Sequence, residues 1–221
     1  MNEITFLIFQ LAVLIFSVMI HEISHGYVAD KLGDPTARLA GRLTLNPKSH
    51  IDPFGSIILP LVLAIPALFG QSTFIIGWAK PVPYNPNNLK KPVRDSALIA
   101  AAGPMANILI AAVFGILIRI IVATGNVQAG GVVPLIVFFS VIVSLNILLA
   151  IFNLVPLPPL DGSKVLFSLL PRGETSFQII TFLERYGLFL LLFFIFFGFQ
   201  FIVPIVDLLY SVLVGPILPF Q

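Results

Sequence analysis

The sequence predicts an all-α polytopic membrane protein with about four full transmembrane helices. A re-entrant or kinked hydrophobic element and one short strand or hairpin complete it. Three observations predict this class. Of 221 residues, 58% are hydrophobic and 10% charged, where a soluble domain carries about a quarter charged residues. Uncharged runs long enough to cross ~30 Å of hydrocarbon recur along the chain. Prolines and glycines interrupt some of these runs, and at membrane depth such backbone must be buried in protein or line a cavity. No soluble domain fits between the spans, so residues 1–221 read as one membrane-embedded domain. A net charge of +2 is too small to point to nucleic acid, and the absence of Cys excludes disulfides, thiolate metal sites and a cysteine nucleophile.

The first span runs from Ile4 to Val28. With Glu3 and no basic residue before it, and no small-residue cleavage site, it reads as a retained helix and not a signal peptide. Its only charged residue is Glu22, inside His21-Glu22-Ile23-Ser24-His25. On a helix, His21 and His25 share a face, so two imidazoles can reach one metal ion. Glu22 lies on the neighbouring edge, placed to act as a base and poorly aimed as a ligand. The plain alternative is two core histidines and a misplaced counter-ion. Against it, a carboxylate at membrane depth costs at least ~2.5–3 kcal/mol, so an ionisable group there marks a functional site. His21 lies roughly 25 Å along the helix from Ile4, which places the site inside the bilayer near its second surface. Gly26 and Gly33-Asp34-Pro35 are expected to close the helix.

Residues 30–53 are polar. Arg42, Thr44 and Asn46 alternate with Leu43 and Leu45, a signal for a short strand or hairpin that competes evenly with a solvated loop. Phe54 to Gly77 carries no charge but contains Pro60, Pro66, Gly55 and Gly70, consistent with one kinked span or a re-entrant hairpin. Trp78-Ala79-Lys80-Pro81-Val82-Pro83-Tyr84-Asn85-Pro86 is too rich in proline for a helix. Ala97 to Ile118 is the next span. Its small residues, including Gly103, permit close packing, and Asn107 is expected to bond between helices. Val132 to Phe152 follows, carrying Asn146. Gly187 to Val206 is the last, with Asp207 expected at an interface and Arg119 at a helix end.

Two histidines leave a catalytic zinc short of its usual three protein ligands. The candidates for a third are His50, Asp161 or a residue of the last helix. Asp161 follows Asn153-Leu154-Val155-Pro156-Leu157-Pro158-Pro159-Leu160, where three prolines stop the preceding helix. A short helix from Ser163 to Leu170 is expected next, which Asp161 would otherwise merely cap. Asn153 can hydrogen-bond substrate backbone, help hold an oxyanion, or satisfy carbonyls freed by the broken helix.

Charge orients the chain. Eleven of the 12 Lys and Arg residues fall in the stretches Lys31–Lys48, Lys80–Arg94 and Lys164–Arg185. If 54–77 re-enters, all three share one side, as the positive-inside rule prefers. The expected arrangement has the N-terminus outside, in a plasma or inner membrane, and the metal site toward the cytoplasm.

Taken together, HEISH in the first span, Gly103-Pro104 with Asn107, NLVPLPPLDG before a short helix, and WAKPVP resemble the site-2 protease family. This is a family of intramembrane zinc metalloproteases, and the likeness is to its compact members without PDZ or CBS modules. It covers about residues 5 to 213. The resemblance implies Zn²⁺ held by His21, His25 and Asp161, Glu22 as the catalytic carboxylate and Asn153 near substrate. It also implies a substrate that is a transmembrane helix of another protein. The rival readings are a zinc-dependent transporter, whose broken helices would carry similar residues, and a catalytically silent binder of membrane proteins.

Overall fold

The computed structural model describes residues 3–58, 62, 65, 79–125 and 131–215. Helix α1 (Glu3–Leu32) opens the chain. No proline interrupts it, and it ends where Gly33 adopts a φ of +108°. Gly26 does not close the helix, contrary to expectation. A Cβ there would lie 2.7 Å from side-chain atoms of Leu43 and Val82 and 2.9 Å from Ala37. Glycine is present so that the following loops can rest on α1.

A one-turn helix, α2 (Thr36–Leu39), precedes 3₁₀ turns at Pro47–Ser49 and Pro86–Asn88 and a π-type turn at Pro53–Ile58. Among the described residues there is no strand, so the alternation over 42–46 does not mark one. Its polar side chains bond locally instead. Asn46 N–H donates to Thr44 Oγ1, Lys48 N–H donates to Asn46 Oδ1, and the buried Arg42 reaches the carbonyls of Lys80 and Pro81. Such bonds compete with strand pairing.

Most of the hydrophobic element at 54–77, and Trp78, lie outside the described residues. Its flanks are described, and they meet: Lys80 N–H donates to His50 O at 2.9 Å. The chain thus leaves and returns at one place, as a re-entrant element requires of its ends.

Three helices follow: α3 (Pro92–Ala123), α4 (Val132–Asn153) and the short α5 (Asp161–Leu169). Pro92 starts α3 where its missing N–H costs nothing, and Asp95 accepts the backbone N–H of Lys91. The last helical run comprises α6 (Glu174–Phe193), a π turn at Phe194–Gly198, a 3₁₀ turn at Phe199–Phe201, and α7 (Ile202–Val214). It exceeds the expected Gly187–Val206 at both ends, so Asp207 lies within α7 and not beyond it. Gly187 is not a start but a contact, since a Cβ there would sit 2.7 Å from the Cβ and the carbonyl oxygen of Pro158. Among the described residues, four helical runs, beginning at Thr5, Pro92, Val132 and Glu174, are long and apolar enough to cross a membrane. The chain is a multi-pass membrane protein.

Helix α3 is the central element. It runs antiparallel to α1, with Ile99 beside His25 and Asn107 beside Ser17. It also runs antiparallel to α4, with Asn107 against Asn146. Ala111 and Ile118 of α3 pack on Ile136, Val143 and Ile147 of α4 and Val214 of α7. Gly115 lets α7 approach closely, with Leu213 backbone 3.1 Å from where a Cβ would stand. In lipid, such small residues replace the hydrophobic drive that assembles soluble cores. A second cluster, Ala29, Leu89 and Ile99, lies toward the other end of the bundle, with Tyr84 against it. The pairing puts residues 30–53, 79–94 and 154–173 at one end of the bundle and Arg119 at the other, where its guanidinium donates to Val212 O.

Candidate metal centre

Ser17, His21 and His25 form one stripe of α1 at helical spacing, and the stripe faces α3. The two imidazole rings meet edge to face, 4.6 Å apart. Each is anchored through Nδ1. His25 Nδ1 lies 2.6 Å from Ile99 O, and His21 Nδ1 lies 2.6 Å from Asn107 Oδ1. A carbonyl oxygen only accepts, so each Nδ1 carries a proton and each ring turns its Nε2 toward the other side.

Asp161 stands on that other side. Its Oδ2 is 3.1 Å from Nε2 of both histidines. With both rings neutral, three lone-pair-bearing atoms converge here, an arrangement suited to a cation. The separation is close to the ~3.3 Å edge of a tetrahedral zinc site with nitrogen and oxygen ligands. Asp161 is the first residue of α5, and no side-chain cap bond starts that helix. The capping role is therefore not taken up. Gly162 lets α5 start against the proline-broken segment, for a Cβ there would fall 2.2 Å from Leu154 O.

Gly103 of α3 leaves the space between these groups open. A Cβ on it would lie 2.5 Å from Nε2 of both His21 and His25. Donor chemistry, spacing and cradle all fit a zinc ion.

Glu22 forms a second group with the same histidines, its carboxylate oxygen and the two imidazole donors all within 4.8 Å of one another. Its Oε2 accepts the N–H of Val82 at 2.8 Å. Val82 lies in a strap, residues 79–88, that Arg42 holds just before it, its guanidinium donating to Lys80 O at 2.9 Å and Pro81 O at 3.1 Å. Lys164 of α5 lies over the Tyr84 ring at 5.2 Å, joining this strap to α5.

The strap is fixed to the end of α1 by Asp34, which is fully buried. Its carboxylate accepts from the Thr36 hydroxyl and N–H, the Asn88 side-chain amide and the Asn85 N–H. Burial pushes the Asp34 carboxyl up, but these bonds together outweigh it and hold the group below its usual value.

His50 is buried, but its Nε2 donates to Thr44 O at 2.8 Å and it stands outside the group. The Asn153 side-chain amide donates to Leu149 O at 2.9 Å, one turn back on α4. Sequence reasoning did not assign Gly103 to the metal cradle, nor Ser17, Asn107 and Asn146 to the surroundings of His21. It also missed Arg42 as the tether of the strap. The four-residue spacings Ser17–His21 and Gly103–Asn107 carry the signal, since each pair shares a helix face.

Residues 9–129 and 118–194 match the model of peptidase family M50. YwhC of Bacillus subtilis, which carries the name of a zinc metalloprotease, is 42% identical over 183 residues, 81% of this chain and 77% of that protein. Proteins of Mycolicibacterium smegmatis and Mycobacterium tuberculosis, named as the zinc metalloprotease Rip2, are 30% and 25% identical over 67% and 68% of this chain. The chain spans 52% of the length of each of these mycobacterial relatives. No solved structure matches the chain. The family match covers most of the sequence and agrees with the motifs that carry the site, so the chain belongs to peptidase family M50, the site-2 protease family.

Proposed function

We propose that this protein is an intramembrane zinc metalloprotease that hydrolyses peptide bonds within or beside transmembrane segments of other membrane proteins. The observation that carries the reading is the convergence of His21 Nε2, His25 Nε2 and Asp161 Oδ2 beside Glu22, in an otherwise uncharged stretch of α1. In this reading His21, His25 and Asp161 hold the ion and Glu22 is the catalytic carboxylate. Bound there, zinc polarises a scissile carbonyl and acidifies water. Glu22 takes the proton of the attacking water and returns it to the leaving amine. The Val82 N–H holds the carboxylate in place for both transfers. Asn153 is the proposed contact to substrate backbone or to a developing oxyanion.

A helical substrate hides its carbonyls in its own hydrogen bonds, so it must unwind to be cut. The first part of the strap, residues 79–83, has no regular structure and runs past Glu22. It is the proposed rest for the unwound segment. Burying the basic end of the bundle on the cytoplasmic face follows the positive-inside rule and gives water access to the site from that side. The transporter reading is less well supported, because the site polar groups gather at one depth and line no path.

The test is purified protein with a model membrane-spanning peptide, with and without a chelator. Cleavage is expected, and chelation should abolish it and zinc should restore it. Glu22→Gln should retain zinc and lose at least about 10²–10⁴-fold in rate. Full activity of that variant would remove Glu22 from the mechanism.

A further inference from the structure

His25 and His21 are anchored by different kinds of acceptor. Ile99 O is a main-chain carbonyl and can only accept. Asn107 carries both an acceptor and a donor, and reversing its amide would face an NH₂ group toward His21 Nδ1. The ring would then have to protonate at Nε2, the nitrogen that faces Asp161 and His25. Something must hold the Asn107 amide in its present sense.

One hold is direct but long: Asn107 Nδ2 donates to the main-chain oxygen of Ser17 at 3.5 Å, near the limit of a hydrogen bond. The shorter hold runs through a group two bonds away. Asn107 Nδ2 donates to Asn146 Oδ1 at 2.8 Å. Asn146 Nδ2 donates to Ile142 O at 2.8 Å and to Ser17 Oγ at 2.9 Å. The Ser17 hydroxyl can donate or accept, so it imposes no direction. The Ile142 carbonyl can only accept, so it fixes which way Asn146 points. With Asn146 fixed, its Oδ1 requires a donor from Asn107, and Asn107 Oδ1 then requires a donor from His21 Nδ1. Asn107, Asn146, Ser17 and His21 are all buried, so no water is placed to repair a reversed link.

We propose that Asn146, which does not touch His21, is a positioning residue that sets the His21 tautomer through Asn107 and so keeps Nε2 bare for the metal. A mere bond between α3 and α4 would hold the helices together without caring about direction. The inference rests on the proposed metal site only in that His21 is a ligand. The tautomer itself is a property of the metal-free protein.

The experiment uses full-length protein in detergent with ¹⁵N-labelled histidine, at about pH 8, where an unperturbed imidazole is neutral. The metal-free wild type should show His21 as the Nδ1–H tautomer; a predominant Nε2–H form would overturn the proposal without any variant. Asn146→Leu should show mixed tautomers at His21 and an unchanged His25. Its zinc affinity, measured by chelator competition, should fall about tenfold or more, the usual cost of losing a partner behind a metal ligand. Ser17→Ala should leave tautomer and affinity as in wild type, because the carbonyl still sets the direction. Tyr210→Phe, which breaks a different interhelical bond to Ser140 of α4, should do the same. A pure Nδ1–H form with full zinc affinity in Asn146→Leu would overturn the proposal. So would equal loss in Ser17→Ala. Failure of the wild type to bind zinc would instead remove the metal reading, and the tautomer measurement would still decide the polarity of the chain.

Discussion

At the scale of single residues, the site depends on what is missing as much as on what is present. Gly103 has no side chain where one carbon would stand 2.5 Å from both metal-facing nitrogens. Gly103→Ala should therefore reduce zinc affinity by about tenfold or more, read by chelator competition, while the helix gains in propensity. Asp34 gives a pH signature. Its folded-state value is depressed, so its contribution to stability is fully present above the usual carboxylate value of 3.8. That contribution is lost as the pH falls through the depressed folded value. Asp34→Asn should abolish this acid dependence and loosen the strap, at a cost of about 1.5–3 kcal/mol at neutral pH. Unfolding followed across pH in micelles checks both. Of these residues, the sequence disclosed those with unusual chemistry. His21, Glu22 and His25 are legible because an ionisable cluster in an apolar run has no cheap structural explanation. Asn107 and Asn146 carry no such mark, because an intramembrane asparagine serves equally well as a plain interhelical bond.

At the scale of elements, the proline-broken segment and α5 act as one unit. Three prolines end α4 and Gly162 lets α5 start against Leu154, which places Asp161 opposite the histidines. Gly162→Ala should push α5 off that seat. Zinc binding should weaken by at least about tenfold with the helix content of the rest preserved, as circular dichroism alongside the chelator assay would show. The sequence revealed this element because prolines and an Asp-Gly pair act locally. The helix that carries the last span runs beyond Gly187–Val206 at both ends, because exposed helix turns tolerate charges such as Glu184 and Arg185. The sequence offered a strand at 42–46 because alternation cannot tell a strand from a loop whose polar side chains bond their own backbone.

At the scale of the whole molecule, the antiparallel order of α1, α3 and α4 and the meeting of His50 with Lys80 fix which loops share a face. The chain lacks Cys, so single cysteines report cleanly. Lys48→Cys and Lys90→Cys should be labelled by an impermeant reagent from one side, and Thr124→Cys from the opposite side. Labelling of Lys48→Cys and Lys90→Cys from different sides would contradict the topology. The grouping of basic residues made this arrangement legible before any coordinates. What sequence could not supply was the pairing of distant helices, which depends on shape at Gly103, Gly115 and Gly187.

The backbone anchor of His25 has a genetic consequence. No exchange of side chain at position 99 deletes the carbonyl that orients this ring, whereas the orientation of His21 is exposed to every codon change at Asn107. A random-mutation library screened for loss of cleavage should therefore be lopsided, with hits gathering behind the first histidine and few at Ile99 behind the second.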